Sequence, residues 1–353
     1  AKQLAWFAQK INAGGSRSLC AVLISDIVIN DASTNNEWTP IQDGISSYGA
    51  AEEDRCEYTG MFDGKGHTVY GLTAPLFGNA DKGSMIKNVT VTGTITGSTN
   101  VGAICKTTYG DIESCVSYAT ITVDGQRTGG IAGLVYAGGS ITNCINYGAI
   151  TSTYSTSSLA PDAKKAYIGG IVGYAYVRVE TCANFGEVKA TGDGISCVGG
   201  IAGYVRVGYG VEADNAYLLN CYNTGAVSAA SKPGGIVGEA AVAVTNCYNT
   251  GAVTGGAIIG SSATGSSMTN CYYLTGSCTD GGSAAKKTEA EMKSAAFVLT
   301  LGEAYGQDTT PNQNKGYPIF TWQGGTKPTI DPDEEAVAKD AAALTVPETV
   351  TEA

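Results

Sequence analysis

The sequence predicts an all-β solenoid, a right-handed parallel β-helix with short helical caps at both ends. Three observations predict it. A phrase of the form Ile/Val/Leu/Met-x-Asn-Cys recurs, with its last position at Val89, Cys115, Cys144, Cys182, Cys221, Cys247 and Cys271, so the steps are 26, 29, 38, 39, 26 and 24 residues. Four residues on comes Gly93, Gly148, Gly186, Gly225 or Gly251, with Ala119 the variant, and then a β-branched residue at Ile95, Ile121, Ile150, Val188, Val227 or Val253. Ahead of the phrase stands Gly-Gly-Ile-x-Gly, beginning at Gly129, Gly169, Gly199 and Gly234. Self-similarity at such a period marks a stacked repeat.

Each unit holds three short β-prone runs separated by Gly or Asn, none long enough for a helix of ten or more residues. Three short strands cannot bury an apolar face alone, so the units must stack into a column with three sheets. Seven turns at roughly 4.8 Å give a column on the order of 34 Å long, coiled to the right by the crossover rule for parallel strands. Ile141 and Cys144 stand three apart and cannot both face inward on a straight strand. A bend at Asn143 reconciles them, because Asn tolerates left-handed backbone angles. Asn88, Asn220, Asn246 and Asn270 share that place, and Ser114 and Thr181 replace it in two turns. The amides are expected to stack at one corner.

These phrases, with Phe62-Asp63-Gly64-Lys65-Gly66-His67-Thr68-Val69 upstream, resemble the GLUG-motif repeats of bacterial (Gram-positive type) secreted and cell-surface proteins. The resemblance covers residues 1 to 323. It implies an extracellular, secreted or wall-attached β-helix, found beside adhesin-like modules and in some immunoglobulin A1-cleaving metallopeptidases. Such a resemblance speaks to fold more than to function.

With 49 Gly, 20 Tyr and 15% charged residues in 353, the composition fits an all-β extracellular protein. The net charge of −11 argues against nucleic acid and anionic membranes, which want clustered Lys and Arg. No apolar run approaches the roughly 18 residues that span a bilayer. No signal peptide is seen, so the chain reads as mature or trimmed, and as a monomer. Of the 11 cysteines, six occupy the repeat position and are expected as a ladder of free, buried thiols, since aligned parallel strands meet disulfide geometry poorly. Cys20, Cys56, Cys105, Cys197 and Cys278 lie outside it, and Cys20 with Cys56 is the pair worth testing.

Taken in order, Leu4, Phe7, Ala8 and Ile11 predict an amphipathic helix over 2–13, ended by Gly14-Gly15. Leu19, Ala21, Leu23, Ile27 and Ile29 then fall on one strand face. A hairpin-like turn follows at Asp63-Gly64-Lys65-Gly66, so residues 1–75 read as an N-terminal cap over an open sheet edge. The column occupies 76–275, and insertions at 152–166 and 207–217 lengthen two turns. Thr288-Glu289-Ala290-Glu291 opens a helix with Met292, Ala295, Ala296 and Leu299 on one face and Gly302 at its end. Residues 276–323 read as a C-terminal cap, with Trp6, Trp38 and Trp322 as apolar plugs. Residues 324–353 read as a linker and the start of an immunoglobulin-like module.

His67 is the one histidine. A His-Glu-x-x-His zinc site is therefore impossible, and the peptidase activity of some relatives cannot reside here. There is no Gly-x-Ser-x-Gly elbow, no Cys-x-x-Cys and no Walker loop. Glu113 and Glu180 share one repeat position with Thr142 between them, roughly 10 Å apart at the strand spacing, which exceeds the range for inverting hydrolysis. Arg178 is the nearest cation for a lyase base. No catalytic, cofactor or metal-binding residue is assigned. The reading is a non-catalytic module for adhesion, glycan binding or spacing in a larger surface protein, its partners host or microbial glycans or surface proteins. A polysaccharide lyase or hydrolase and an accessory domain of a surface peptidase are the alternatives.

The candidate binding residues are Tyr222, Tyr248 and Tyr272, one place past the ladder cysteine. They are expected to form a flat strip roughly 10 Å long on which sugar rings rest. Asn223 and Asn249 would hydrogen-bond at its edge and Tyr209 would stand as a wall. Tyr118, Tyr147 and Phe185 line a second position in earlier turns.

Overall fold

The computed structural model describes residues 1–14, 17–43, 57–154, 165–192, 195–208, 210, 216–231, 233–309 and 313–328. Residues 1–287 form one compact unit and residues from 288 onward a second. The first is a parallel β-helix. Nine short strands, from Ala21–Val22 to Ser267–Thr269, stack in parallel as its first wall. Phe62, Ile86, Ile112, Ile141, Val179, Leu218 and Val244 form one inward row on that wall and are fully buried.

The predicted corner is present in every rung that carries the phrase. Asn88, Ser114, Asn143, Thr181, Asn220, Asn246 and Asn270 all have φ between 50° and 55°. That left-handed step turns the next residue inward, so Val89 and the six ladder cysteines are buried. Amides do stack at the corner: Asn270 Nδ2 donates to Asn246 Oδ1 at 2.7 Å, and Asn246 Nδ2 to Asn220 Oδ1 at 3.2 Å.

The second wall holds sixteen strands. Its long strand Thr90–Gly97 pairs with both Val116–Ser117 and Thr120–Val123, which later rungs break at the repeat glycine. Two further walls replace the single one expected. Strands ahead of Gly-Gly-Ile-x-Gly form a four-stranded sheet that includes Arg127–Gly129 and Lys165–Gly169. Strands after it form a seven-stranded sheet that includes Ala132–Val135, Val172–Ala175 and Ala202–Arg206. The two sheets lie against one another with almost no space between. A Cβ on Gly133, Gly173, Gly203 or Gly238 would fall 2.4 to 2.6 Å from the backbone nitrogen of Val101, Thr128, Ile168 or Val198. The last glycine of the phrase is thus a close-approach residue.

The column begins earlier than expected. Ala21–Val22 and Ile27–Val28 pair in parallel with Phe62–Asp63 and Val69–Tyr70, so they form a first rung. Asp63–Gly66 is a rung corner and no hairpin, because the strands on either side lie in different sheets. Leu19, expected inside, is exposed. The helix Lys2–Asn12 forms as the spacing predicts and buries Leu4, Phe7, Ala8 and Ile11. Its Phe7 ring lies 6.2 and 6.3 Å from Tyr58 and Phe62. Trp38 is buried with its Nε1 donating to Pro75 O, whereas Trp6 and Trp322 are exposed and plug nothing.

In the second unit the capping box at Thr288 opens a helix over Glu289–Met292. The single helix expected there is two, because the Ser294 hydroxyl accepts from Phe297 N and starts Ala295–Leu301 afresh. Tyr305–Gly306 and Ile319–Phe320 pair antiparallel. The linker expected from 324 lies, beyond residue 328, outside the described residues. Among the described residues no helix is long and apolar enough to cross a membrane.

Candidate functional site

Register places Tyr222, Tyr248 and Tyr272 in line, as the repeat requires. The open strip does not follow. Tyr222 and Tyr248 are 0% exposed, and their rings stack face to face at 5.1 Å and 4°. The rung spacing of about 4.8 Å matches aromatic stacking distance, so tyrosines at one repeat position pile on each other and spend their faces. Tyr272 is partly buried, its hydroxyl on Asn270 Oδ1 and the Lys287 ammonium 5.3 Å from its ring. Tyr118, Tyr147 and Phe185 are likewise stacked at 4.7 Å, with Tyr118 exposed at the end of the pile.

Asn223 and Asn249, expected at the edge, are interior. Asn146 Nδ2 donates to Asn184 Oδ1, Asn184 Nδ2 to Asn223 Oδ1 and Asn223 Nδ2 to Asn249 Oδ1, each at 2.8 Å. All four are fully buried. Each Nδ2 also donates to the carbonyl of Gly148, Gly186, Gly225 or Gly251. They form a buried structural spine. Tyr209 lies outside the described residues.

Glu113, Thr142 and Glu180 occupy successive rungs as predicted. Glu180 Oε2 accepts from the Tyr217 hydroxyl at 3.2 Å. The ladder thiols each donate to the carbonyl two residues back, from Cys115 on Glu113 O at 3.3 Å to Cys271 on Thr269 O at 3.3 Å. All described cysteines are free, and Cys56 lies outside the described residues. Burial pushes the thiols of Cys115, Cys144, Cys182, Cys221 and Cys247 well up from their ordinary value, and Cys105 to about 12. Such thiols are inert. Near the N-terminus a hollow of about 570 Å³ opens between the helix and the first rung, lined by Trp6, Val22 and Ile24. Its carboxylate, Asp26, is already engaged by Thr68 N and His67 Nδ1.

A different cluster emerges where the four- and seven-stranded sheets meet. Tyr174 is its hub. Tyr167, Tyr176 and Tyr204 have ring centroids 4.9, 4.7 and 4.9 Å from that of Tyr174, at 87°, 43° and 79°. Tyr167 and Tyr204 also stack on each other at 5.6 Å and 18°, and Tyr176 stacks on Tyr136 at 5.6 Å and 4°, so each outer ring gives up one face and Tyr174 meets them at an angle. Tyr174 is 6% exposed, while the other three remain partly accessible. The Arg127 guanidinium lies 5.7 Å from the Tyr174 ring. Arg206 meets the Tyr174 hydroxyl, which raises the pKa of its guanidinium, and lies 5.9 Å from the Tyr176 ring. Burial raises the phenol of Tyr174, and of Tyr167 and Tyr204 beside it. Next to the cluster, Glu239 Oε2 takes the Lys165 ammonium at 3.1 Å and the Cys197 thiol at 3.2 Å. The sequence did carry a signal for this site: the residue after the last glycine of the phrase is Leu134, Tyr174, Tyr204 and Glu239 in turn, and these pair in register.

No family model matches the chain. A segment of 131 residues is 29% identical to Halomucin of Haloquadratum walsbyi, covering 35% of this chain and 1% of that protein. A solved structure of a candidate immunoglobulin A1 protease from Bacteroides ovatus is similar with a TM-score of 0.53 at 16% identity, over 91% of this chain and 90% of that one. Another, of an IgA1 protease, gives 0.55 at 19% identity, over 80% of this chain and 21% of that chain. At these identities the likeness to solved structures is one of fold.

Proposed function

We propose that the chain is a non-catalytic, extracellular binding module of a larger surface protein, its β-helix a rigid mount for a binding surface on the outer wall. The observation that carries this reading is the Tyr174 hub, a cluster of crossed aromatic rings and guanidinium groups on regular strands. Such a surface suits adhesion better than bond cleavage. The Glu113 and Glu180 pair, split by the Thr142 rung, supports the same reading. The names of the similar proteins, Halomucin and two immunoglobulin A1 proteases, support a place outside the cell. Incubation of the purified chain with pectin, alginate, hyaluronan and mucin, followed by assays for new reducing ends and unsaturated products, tests it. No release is expected. Release abolished by Glu180→Gln would overturn the reading in favour of a polysaccharide-active enzyme. A second reading, an accessory domain of a surface peptidase, is favoured by one observation: the chain corresponds to 21% of the IgA1 protease chain, leaving ample length there for a catalytic part.

A further inference from the structure

Five arginines occur in the whole chain, against 32 Asp and Glu. In so acidic a protein each arginine has carboxylates to choose from, yet among the described residues Arg127 and Arg206 form no ion pair, and they face tyrosine rings. Arg127 spends one nitrogen on Asn100 Oδ1 at 3.3 Å, and its Nε is buried without a hydrogen-bond partner among the described residues. Arg206 is exposed, with its Nε on Val207 O at 3.4 Å and its guanidinium at the Tyr174 hydroxyl. Both guanidiniums therefore converge on Tyr174 with donors to spare. Among the described residues the carboxylate beside this corner, Glu239, is held by Lys165 and the Cys197 thiol.

We infer that this corner binds a carboxylate-bearing pyranose, a uronic or sialic acid residue of an acidic glycan. The inference rests on the binding-module reading and names its ligand class. A planar guanidinium fork matches a carboxylate, and the partly accessible Tyr167, Tyr176 and Tyr204 offer the ring surface that their stacking leaves open to the C–H face of a sugar, and hydroxyls to its oxygens. Neutral sugars use the rings alone, and acidic peptides use the charges alone. A carboxylated sugar uses both.

The test is titration calorimetry of the full chain with trigalacturonate and with 3′-sialyllactose, the two sources of a carboxylated pyranose. Maltotriose and a short polyglutamate serve as the neutral and acidic controls. Saturable binding of at least one acidic sugar is expected, with a Kd on the order of 0.1 to 1 mM for an open surface, weakening as salt rises. Arg206→Ala and Tyr204→Ala should each weaken it by about ten-fold or more, and Arg206→Lys should fall between wild type and Arg206→Ala. Circular dichroism and the melting temperature of each variant establish that the fold persists; Arg206 is exposed, so its variants provide the reading even if Tyr204→Ala unfolds. Binding of neither acidic sugar, equal binding of maltotriose, polyglutamate binding as tightly, or full affinity in Arg206→Ala would each overturn the inference. A failure here with no polysaccharide cleavage leaves the binding-module reading standing; cleavage overturns that reading instead.

Discussion

At the scale of single residues, the left-handed corner sets the inward turn of the whole repeat. Five of the seven corners are Asn, and Thr181, with φ 50°, is β-branched. A left-handed non-glycine residue costs about 1 to 2 kcal/mol, and Asn relieves part of it through local hydrogen bonds. Thr181→Asn should therefore stabilise the protein by about 0.5 to 1 kcal/mol, read as a higher denaturant midpoint at unchanged slope. The spine asparagines behave oppositely. Asn223→Ala strips partners from Asn184, Asn249 and Gly225 O at once, and should cost about 2 to 4 kcal/mol. The corner was legible in the sequence because parity failed between Ile141 and Cys144. The spine was not, because an Asn two places after the cysteine reads equally well as a turn residue on the surface.

At the scale of elements, two phrases that look independent in the sequence prove to be partners. A Cβ on Gly130, Gly170, Gly200 or Gly235, the second glycine of each pair, would fall 2.3 to 2.6 Å from the amide carbon of Asn146, Asn184, Asn223 or Asn249. Where the second glycine is Ala103, the matching spine residue is Ser117, and where it is Ala257 the residue is Tyr273. The alanine methyl and the amide compete for one space. Gly200→Ala should hence destabilise by about 1 to 3 kcal/mol. Adding Asn223→Ser should cost less than it does alone, with a coupling of about 1 kcal/mol in a double-mutant cycle. Additive effects would mean the two sites are independent. The sequence announced the glycines by their period, but it could not say that Gly173 and Gly203 bring two sheets backbone to backbone. That contact joins positions on neighbouring rungs, which spacing along one chain does not connect.

At the scale of the whole molecule, the buried thiols tie stability to alkaline pH. The unfolded thiol ionises near its ordinary value of 9.0, whereas Cys105 holds its proton to about 12 and Cys115, Cys144, Cys182, Cys221 and Cys247 are pushed well above 9.0. A folded pKa raised above the unfolded one means the stability is complete below pH 9 and is lost as pH rises from there. With six such groups the loss amounts to several kcal/mol per pH unit, roughly 1.4 for each thiol. Melting temperature should stay level from pH 7 to 8.5 and fall steeply above 9.5; a flat profile to pH 11 would contradict the buried-thiol ladder. The column was legible from its period, while its first rung was not, since Ala21–Val22 and Ile27–Val28 carry none of the recurring phrase. The tyrosine–arginine corner escaped notice because its members sit beside the phrase and meet only once two sheets pack. The stacking itself has a mechanical consequence. Within residues 1–287 the chain enters at the first rung and leaves at the far end, where Ala285–Lys287 stacks on the ninth, so tension on its ends runs along the axis in which the interstrand hydrogen bonds point. Those bonds are loaded one after another, as in a zipper, and each rung depends only on its neighbours. Pulled between two beads, this column should yield as a staircase of small extensions, about 8 to 13 nm for each turn of 24 to 39 residues, and so act as a shock absorber that gives way turn by turn.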